Sequence, residues 1–267
     1  MIKLIASDID GTLVPESSCT INPEFYETVR ELKRQGILFV AASGRQYSSI
    51  HTLFAPIAED VAFIAGNGVH VMYPDGTEDN IWMNRKDVEE AVAYLRELPD
   101  CLFTVSDSRC IYLEKRDADF EKLLVEGYHN HLCPVKDVLG EPIGIQKMAI
   151  YKKTGVQDLL ESVKGAWEEK FRVFQAGERW IDMVDYGADK GKALRKIQKM
   201  YGILPEETMA FGDNYNDIGM LQAAEESYAV KSAPKGVQMA AKHLADSYET
   251  EGVIRILKAL AEENRRR

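Results

Sequence analysis

The chain opens by alternating short apolar runs with amphipathic stretches: Leu4 to Ser7, Pro23 to Gln35, Ile37 to Ala42, Gln46 to Phe54 and Val61 to Ile64. Apolar runs of that length, separated by segments of helical period, predict βαβ units around a parallel sheet buried on both faces. From about Ile81 the texture changes. Asn84 stands where a helix cap belongs, ahead of Val88, Ala91, Val92, Leu95 and Leu98 on one helical face. Leu102 to Val105 and Cys110 to Leu113 flank Ser-Asp-Ser-Arg, a hairpin pattern, and the runs Gln146 to Tyr151 and Arg172 to Ala176 bracket a helical stretch from Val156 to Phe171. Helices mixed with hairpin-like strands predict an α+β insert with an antiparallel sheet.

Near Asp185-Tyr186-Gly187 the first style returns, with a helix from Lys190 to Tyr201, the run Met209-Ala210-Phe211 and another helix after Asp213. The fold class expected is therefore α/β: a Rossmann-like, doubly wound parallel sheet over 1–82 and 184–267, split by an inserted α+β unit at 83–183. A chain of 267 residues is long enough for two such units.

Composition refines this little. With 45% hydrophobic and 28% charged residues the chain is of ordinary globular type. A net charge of -10 with no basic stripe lacks the electrostatic footprint of a nucleic-acid binder. The acidic excess reads as solvated surface unless particular spacings gather cations. Cys19, Cys101, Cys110 and Cys133 form no CxxC pair, which predicts free thiols in a reducing compartment and no zinc site. The strand-like Ile2 to Ala6 is too short for a signal peptide or a membrane span, so a cytoplasmic protein with no membrane partner is expected. Arg265-Arg266-Arg267 reads as a helix end.

In an open parallel sheet, ligands sit at the carboxyl ends of the strands. After the first run come Asp8 and Asp10; after the second, Ser43-Gly44-Arg45. Lys190 opens the returning half, and Gly212-Asp213-Asn214-Tyr215-Asn216-Asp217 follows the run at Met209. Singly, each has a bland reading: an Asp after a strand is often a helix cap, and Ser-Gly is often a turn. Four carboxylates meeting in one crevice, however, would repel unless a cation lay among them, and oxygen ligands without clustered His or Cys favour Mg2+. Ser43, the Gly44 amide and the Lys190 ammonium could then hold the oxygens of one phosphoryl group.

In this order, Asp8-Ile9-Asp10-Gly11-Thr12, Ser43, Lys190 and Gly212-Asp213 to Asn216-Asp217 resemble the motifs of the haloacid dehalogenase superfamily. An insert between Ser43 and Lys190, with Asn67-Gly68, Gly212 to Met220 and Glu251-Gly252-Val253, is similar to the Cof-type IIB branch and its C2-type cap. The resemblance implies a phosphatase in which Asp8 attacks phosphorus and Asp10 carries the proton. It further implies that the metal is held by Asp8, the Asp10 carbonyl and Asp213, with Asp217 orienting its waters. The phosphate would lie on the Ile9 amide, Ser43, Gly44, Lys190 and Asn216. Gly11 would allow the tight turn and Thr12 would brace it.

The expected substrate is a small phosphorylated metabolite, a sugar phosphate or a relative of one. A phosphomutase or phosphotransferase using the same aspartyl phosphate stays open, as does a non-catalytic phospho-receiver module. Outside the motifs, His129-Asn130-His131 reads as a surface loop, Gly66-Asn67-Gly68 as a tight turn before it is a lip of the crevice, and Arg45 as a brace of the core. Selectivity is expected in cap residues facing the crevice, which only the fold identifies, and oligomeric state leaves no signature.

Overall fold

A computed structural model describes residues 1–16 and 18–266. The chain starts as β1 (Leu4–Asp8), α1 (Pro23–Arg34), β2 (Leu38–Ala42), α2 (Tyr47–Leu53), β3 (Val61–Ala65), β4 (His70–Met72) and β5 (Glu78–Asn80). α1 forms because Asn22 accepts from the Glu24 amide, Pro23 presets the first turn, and Phe25, Val29 and Leu32 fall on one buried face.

Next come α3 (Arg85–Arg96), β6 (Leu102–Ser106), β7 (Ile111–Leu113), α4 (Ala118–Lys122), β8 (Leu132–Pro134), β9 (Lys147–Tyr151), α5 (Leu160–Trp167), β10 (Arg172–Gly177) and β11 (Trp180–Val184). Asn84 caps α3 as its position suggests, accepting from the Lys86 and Asp87 amides. The remainder is α6 (Lys190–Tyr201), β12 (Thr208–Gly212), α7 (Ile218–Leu221), β13 (Glu226–Val230), α8 (Lys235–Gln238), β14 (His243–Ala245) and α9 (Gly252–Arg266). Arg265 and Arg266 close α9, and Arg267 lies outside the described residues.

Two sheets result. The larger runs β14-β13-β12-β1-β2-β3-β4-β5, the smaller β10-β11-β9-β6-β7-β8. From β14 to β3 the large sheet is parallel. One apolar layer, with Phe25, Val29, Leu257 and Ala261, joins α1 and α9 to one face, while Leu194, Ile197 and Leu221 of α6 and α7 cover the other. The winding leaves β1 in one direction through β2 and β3 and in the other through β12. The switch point therefore lies between β1 and β12, where a crevice must open.

The structure departs from expectation in several places. β4 and β5 extend the large sheet in antiparallel sense; β5, Glu78-Asp79-Asn80, has no apolar run to betray it. The helix read from Val156 to Phe171 shortens to α5, because Val156 sits in a turn where its carbonyl accepts from Leu159 and Leu160. β11 is a strand that the apolar runs do not predict, and β8 pairs with β7 in parallel inside an otherwise antiparallel sheet. The expectation of free thiols is corrected for Cys110 and Cys133. The β7–β8 pairing brings their Cα atoms to 6.0 Å, within disulfide reach, and the two are joined.

Candidate active site

The carboxyl ends of β1 and β12 bring the acidic motifs together. Asp8 ends β1, Asp213 follows β12, and the carboxylates of Asp8, Asp213 and Asp217 all lie within 4.8 Å of one another. Such an approach needs the chain to come very close. Gly11, at φ +84°, passes so near that a Cβ there would stand 2.3 Å from Asp213 Oδ2. Thr12, fully buried, donates to Asp213 Oδ1 at 3.3 Å, so it holds this carboxylate rather than merely bracing its own loop.

Lys190, at the first turn of α6, supplies the opposite charge. Its Nζ donates to Asp8 Oδ1 at 2.6 Å and to Asp217 Oδ1 at 2.7 Å. Burial works against that ammonium, but the carboxylates of Asp217 and Asp8 outweigh it and hold Lys190 charged, above the ordinary lysine range. Asp217 spends its second oxygen on the amides of Asp213 and Asn214, both at 3.0 Å. With both oxygens engaged, Asp217 shapes the loop. Asp8 is different: its Oδ2 is buried and has no hydrogen-bond partner.

One lysine does not compensate three carboxylates. Burial, then the Asp217 charge, pushes the Asp8 carboxyl well up despite Lys190. The same two causes push Asp213 up to about 6. An orphaned carboxylate oxygen, an oxygen-only donor set and carboxyls that resist ionisation fit a hard cation, with Asp8 and Asp213 offering the available atoms.

Asp10 is placed otherwise. Its carboxylate turns away from the cluster to Arg45, which forks onto it with Nε–Oδ2 2.8 Å and Nη2–Oδ1 2.5 Å. Arg45 also donates to the Ser18 carbonyl at 2.9 Å. Arg45 therefore clamps Asp10 at the rim of the crevice and does not brace the core. Its place directly after Ser43-Gly44, in a loop at a strand end, was the signal available for this.

Ser43 is buried, and its Oγ accepts from the Arg45 amide at 3.0 Å, which fixes the loop carrying Gly44. Ile9 is buried, and its carbonyl gathers the amides of Thr12, Leu13 and Val14 into the turn after β1. Asn216 donates from Nδ2 to Asn67 Oδ1 at 2.9 Å. Asn67, in the left-handed region at φ 61° and buried, faces Gly44, so the Gly66-Asn67-Gly68 turn ties two expected phosphate-binding segments together. Of the His129-Asn130-His131 loop, the histidines are exposed, but Asn130 lines the crevice, which a surface-loop reading missed.

A cavity of about 520 Å³ opens between these residues and the smaller sheet. Gln46, ahead of α2, bridges the two by donating to the Asp107 and Cys110 carbonyls. The volume suits a metabolite rather than a macromolecule. Among the described residues, no helix is long and apolar enough to cross a membrane.

A cluster of buried aspartates at the switch point of a parallel sheet, under a second α+β layer, defines a class of capped phosphatases. The chain belongs to the haloacid dehalogenase-like hydrolase family, whose model matches residues 5–257. It is 32% identical to the 5-amino-6-(5-phospho-D-ribitylamino)uracil phosphatase YbjI of Escherichia coli over 96% of this chain and 95% of that protein. A crystal structure from Eubacterium rectale superposes with a TM-score of 0.87 at 35% identity, covering 97% and 99% of the two chains. The fold is also that of the HAD subclass IIB sugar phosphatase BT4131, with a TM-score of 0.80 at 21% identity and coverage of 97% and 98%. A phospho-receiver module does not fit this membership or the cap.

Proposed function

We propose that the chain hydrolyses small phosphomonoesters, sugar phosphates or related metabolites, in a magnesium-dependent reaction that passes through a phosphorylated Asp8. In this reading residues 83–183 are the cap over a core of 1–82 and 184–267. The observation that carries it is the asymmetry of Asp8: Lys190 neutralises one carboxylate oxygen, and the other is buried without a partner. The ester named for the E. coli relative, a ribityl phosphate attached to a uracil ring, is of the same small class and supports the choice.

Asp8 attacks phosphorus, the bond from phosphorus to the leaving oxygen breaks, and Asp10 gives that oxygen a proton. Water then attacks the acyl phosphate, Asp10 takes its proton, and inorganic phosphate leaves with the Asp8 carboxylate restored. Asp10 has to loosen from the Arg45 fork to do this, so Arg45 is assigned the task of parking and aiming it. Ile9, Ser43, Gly44, Lys190 and Asn216 are the proposed holders of the phosphate. Asp8, Asp213 and the Asp10 carbonyl would hold magnesium, which when bound adds positive charge beside the phosphate oxygens.

Asp8→Asn should abolish magnesium-dependent phosphate release, and label from a phosphate-labelled ester should reach inorganic phosphate. Undiminished release in the variant would sink the nucleophile assignment. Label captured on a second hydroxyl would make the enzyme a phosphotransferase.

A further inference from the structure

Strand alternation decides which cap side chains meet the crevice. Met148, Ile150, Ile181 and Met183 point outward into the apolar layer under α3 and α5. Their neighbours Lys147, Ala149, Trp180 and Asp182 line the cavity opposite the acidic cluster, beside Thr104 and Ser106 of β6.

The register places these groups in rungs. Ala149 lies opposite both Thr104 and Asp182, so a single methyl separates a hydroxyl from a carboxylate and leaves a notch between them. Lys147 lies opposite Ser106 and reaches diagonally to Asp182, with Nζ–Oδ2 at 3.1 Å. The pair is largely withdrawn from water, its side chains 17% and 5% exposed. A buried ion pair adds little stability over an apolar pair of equal volume, so its presence on a cavity wall points to a ligand. At one end of the same wall is an aromatic shelf, where Trp180 meets Tyr128 edge-on with ring centroids 6.1 Å apart.

We propose that Lys147 and Asp182 select the leaving group by reading a donor–acceptor edge, an N–H beside a carbonyl, on a planar nitrogen heterocycle whose face lies against Trp180. The carboxylate accepts the N–H, and the ammonium donates to the carbonyl. A flat ring suits the indole face. This rests on the phosphatase reading, which puts the ester's phosphate at Asp8 and the rest of the molecule under the cap.

Two matched esters test it. Uridine 5′-monophosphate and ribose 5-phosphate share the phosphorylated carbon and differ in the base. The wild-type chain with magnesium should favour the uridine ester in kcat/KM by on the order of 10- to 100-fold, the range that a satisfied polar edge and a filled shelf provide. In Asp182→Asn, Lys147→Gln and Trp180→Leu that ratio should fall at least roughly tenfold. A wild-type ratio near one overturns the assignment and leaves the phosphatase reading standing. A fall of both rates together, with the ratio kept, marks the pair as structural and also overturns it.

Binding of uridine, followed by quenching of tryptophan fluorescence, reads the cap without turnover. Quenching that is lost in Trp180→Leu and weakened in Asp182→Asn supports the assignment, whereas no quenching in the wild-type chain refutes it. If neither ester yields phosphate, this binding measurement decides the cap on its own.

Discussion

The acidic cluster ties stability to pH in a direction opposite to that of most carboxylates. Asp213 has its carboxyl pushed up to about 6, chiefly by burial and then by Asp217. In the unfolded chain it titrates near its ordinary value of 3.8. Between those values the folded chain holds a proton that the unfolded chain has lost, so stability falls as pH rises through this window and the penalty is complete above about 6. The full displacement corresponds to about 3 kcal/mol at pH 7.5, of which roughly half is already present at pH 5. At roughly 2–4 °C per kcal/mol for a chain of this size, the full penalty lowers the melting temperature by about 6–12 °C.

Thermal unfolding followed by circular dichroism in EDTA should therefore find Asp213→Asn more stable than the unaltered chain at pH 7.5, with the gap about halved at pH 5. The proposed magnesium site needs its carboxylates ionised, so the rise in melting temperature on adding magnesium should be larger at pH 7.5 than at pH 5, and much reduced in the variant. A variant no more stable than the unaltered chain at pH 7.5, or a gap independent of pH, would refute the reasoning that burial and crowding hold the Asp213 carboxyl up.

Three further outcomes follow from the same geometry. Lys190→Met strands Asp8 and Asp217 without their shared counter-charge, and denaturant titration of the metal-free chain should register a loss of about 3–5 kcal/mol. Arg45→Ala frees Asp10 from its clamp. Steady-state kinetics should give a kcat lower by roughly 10- to 100-fold with the thermal midpoint little changed, and an unaltered kcat would remove Arg45 from the chemistry. Gly11→Ala combines a strained φ of +84° with a clash against Asp213; it should cost roughly 1–3 kcal/mol and weaken magnesium binding measured by calorimetry, whereas normal binding would mean that the turn can relax.

Much of the fold was legible because its signals are local. The period of Phe25, Val29 and Leu32 with Asn22 before them specifies α1, and the run from Leu4 specifies β1. Strand β5 escaped because three polar residues on an edge carry no burial pattern, and it is the hairpin from β4 that gives it a partner. In the site, Asp8 and Asp213 are nominated by their places after apolar runs and Lys190 by its place at the start of the returning half, and the structure brings them together. Arg45, Asn67 and Asn130 carry no comparable signal, because an arginine, a glycine-flanked asparagine and a polar loop each have commoner uses.

What the amino-acid sequence determined by itself is therefore the order of elements and the set of residues that end them, since caps and periodicity act within a turn or two of the chain. Only the tertiary structure decided which of those residues are partners. Lys190 meets Asp8 across 182 positions, and Asp10 turns to Arg45 instead of to the carboxylates beside it. On the cap, the face carrying Lys147 and Asp182 has the alternation of a solvated sheet, and it becomes the wall of a cavity only because the core stands opposite. Electrostatics and desolvation depend on distances through space, which no local pattern records.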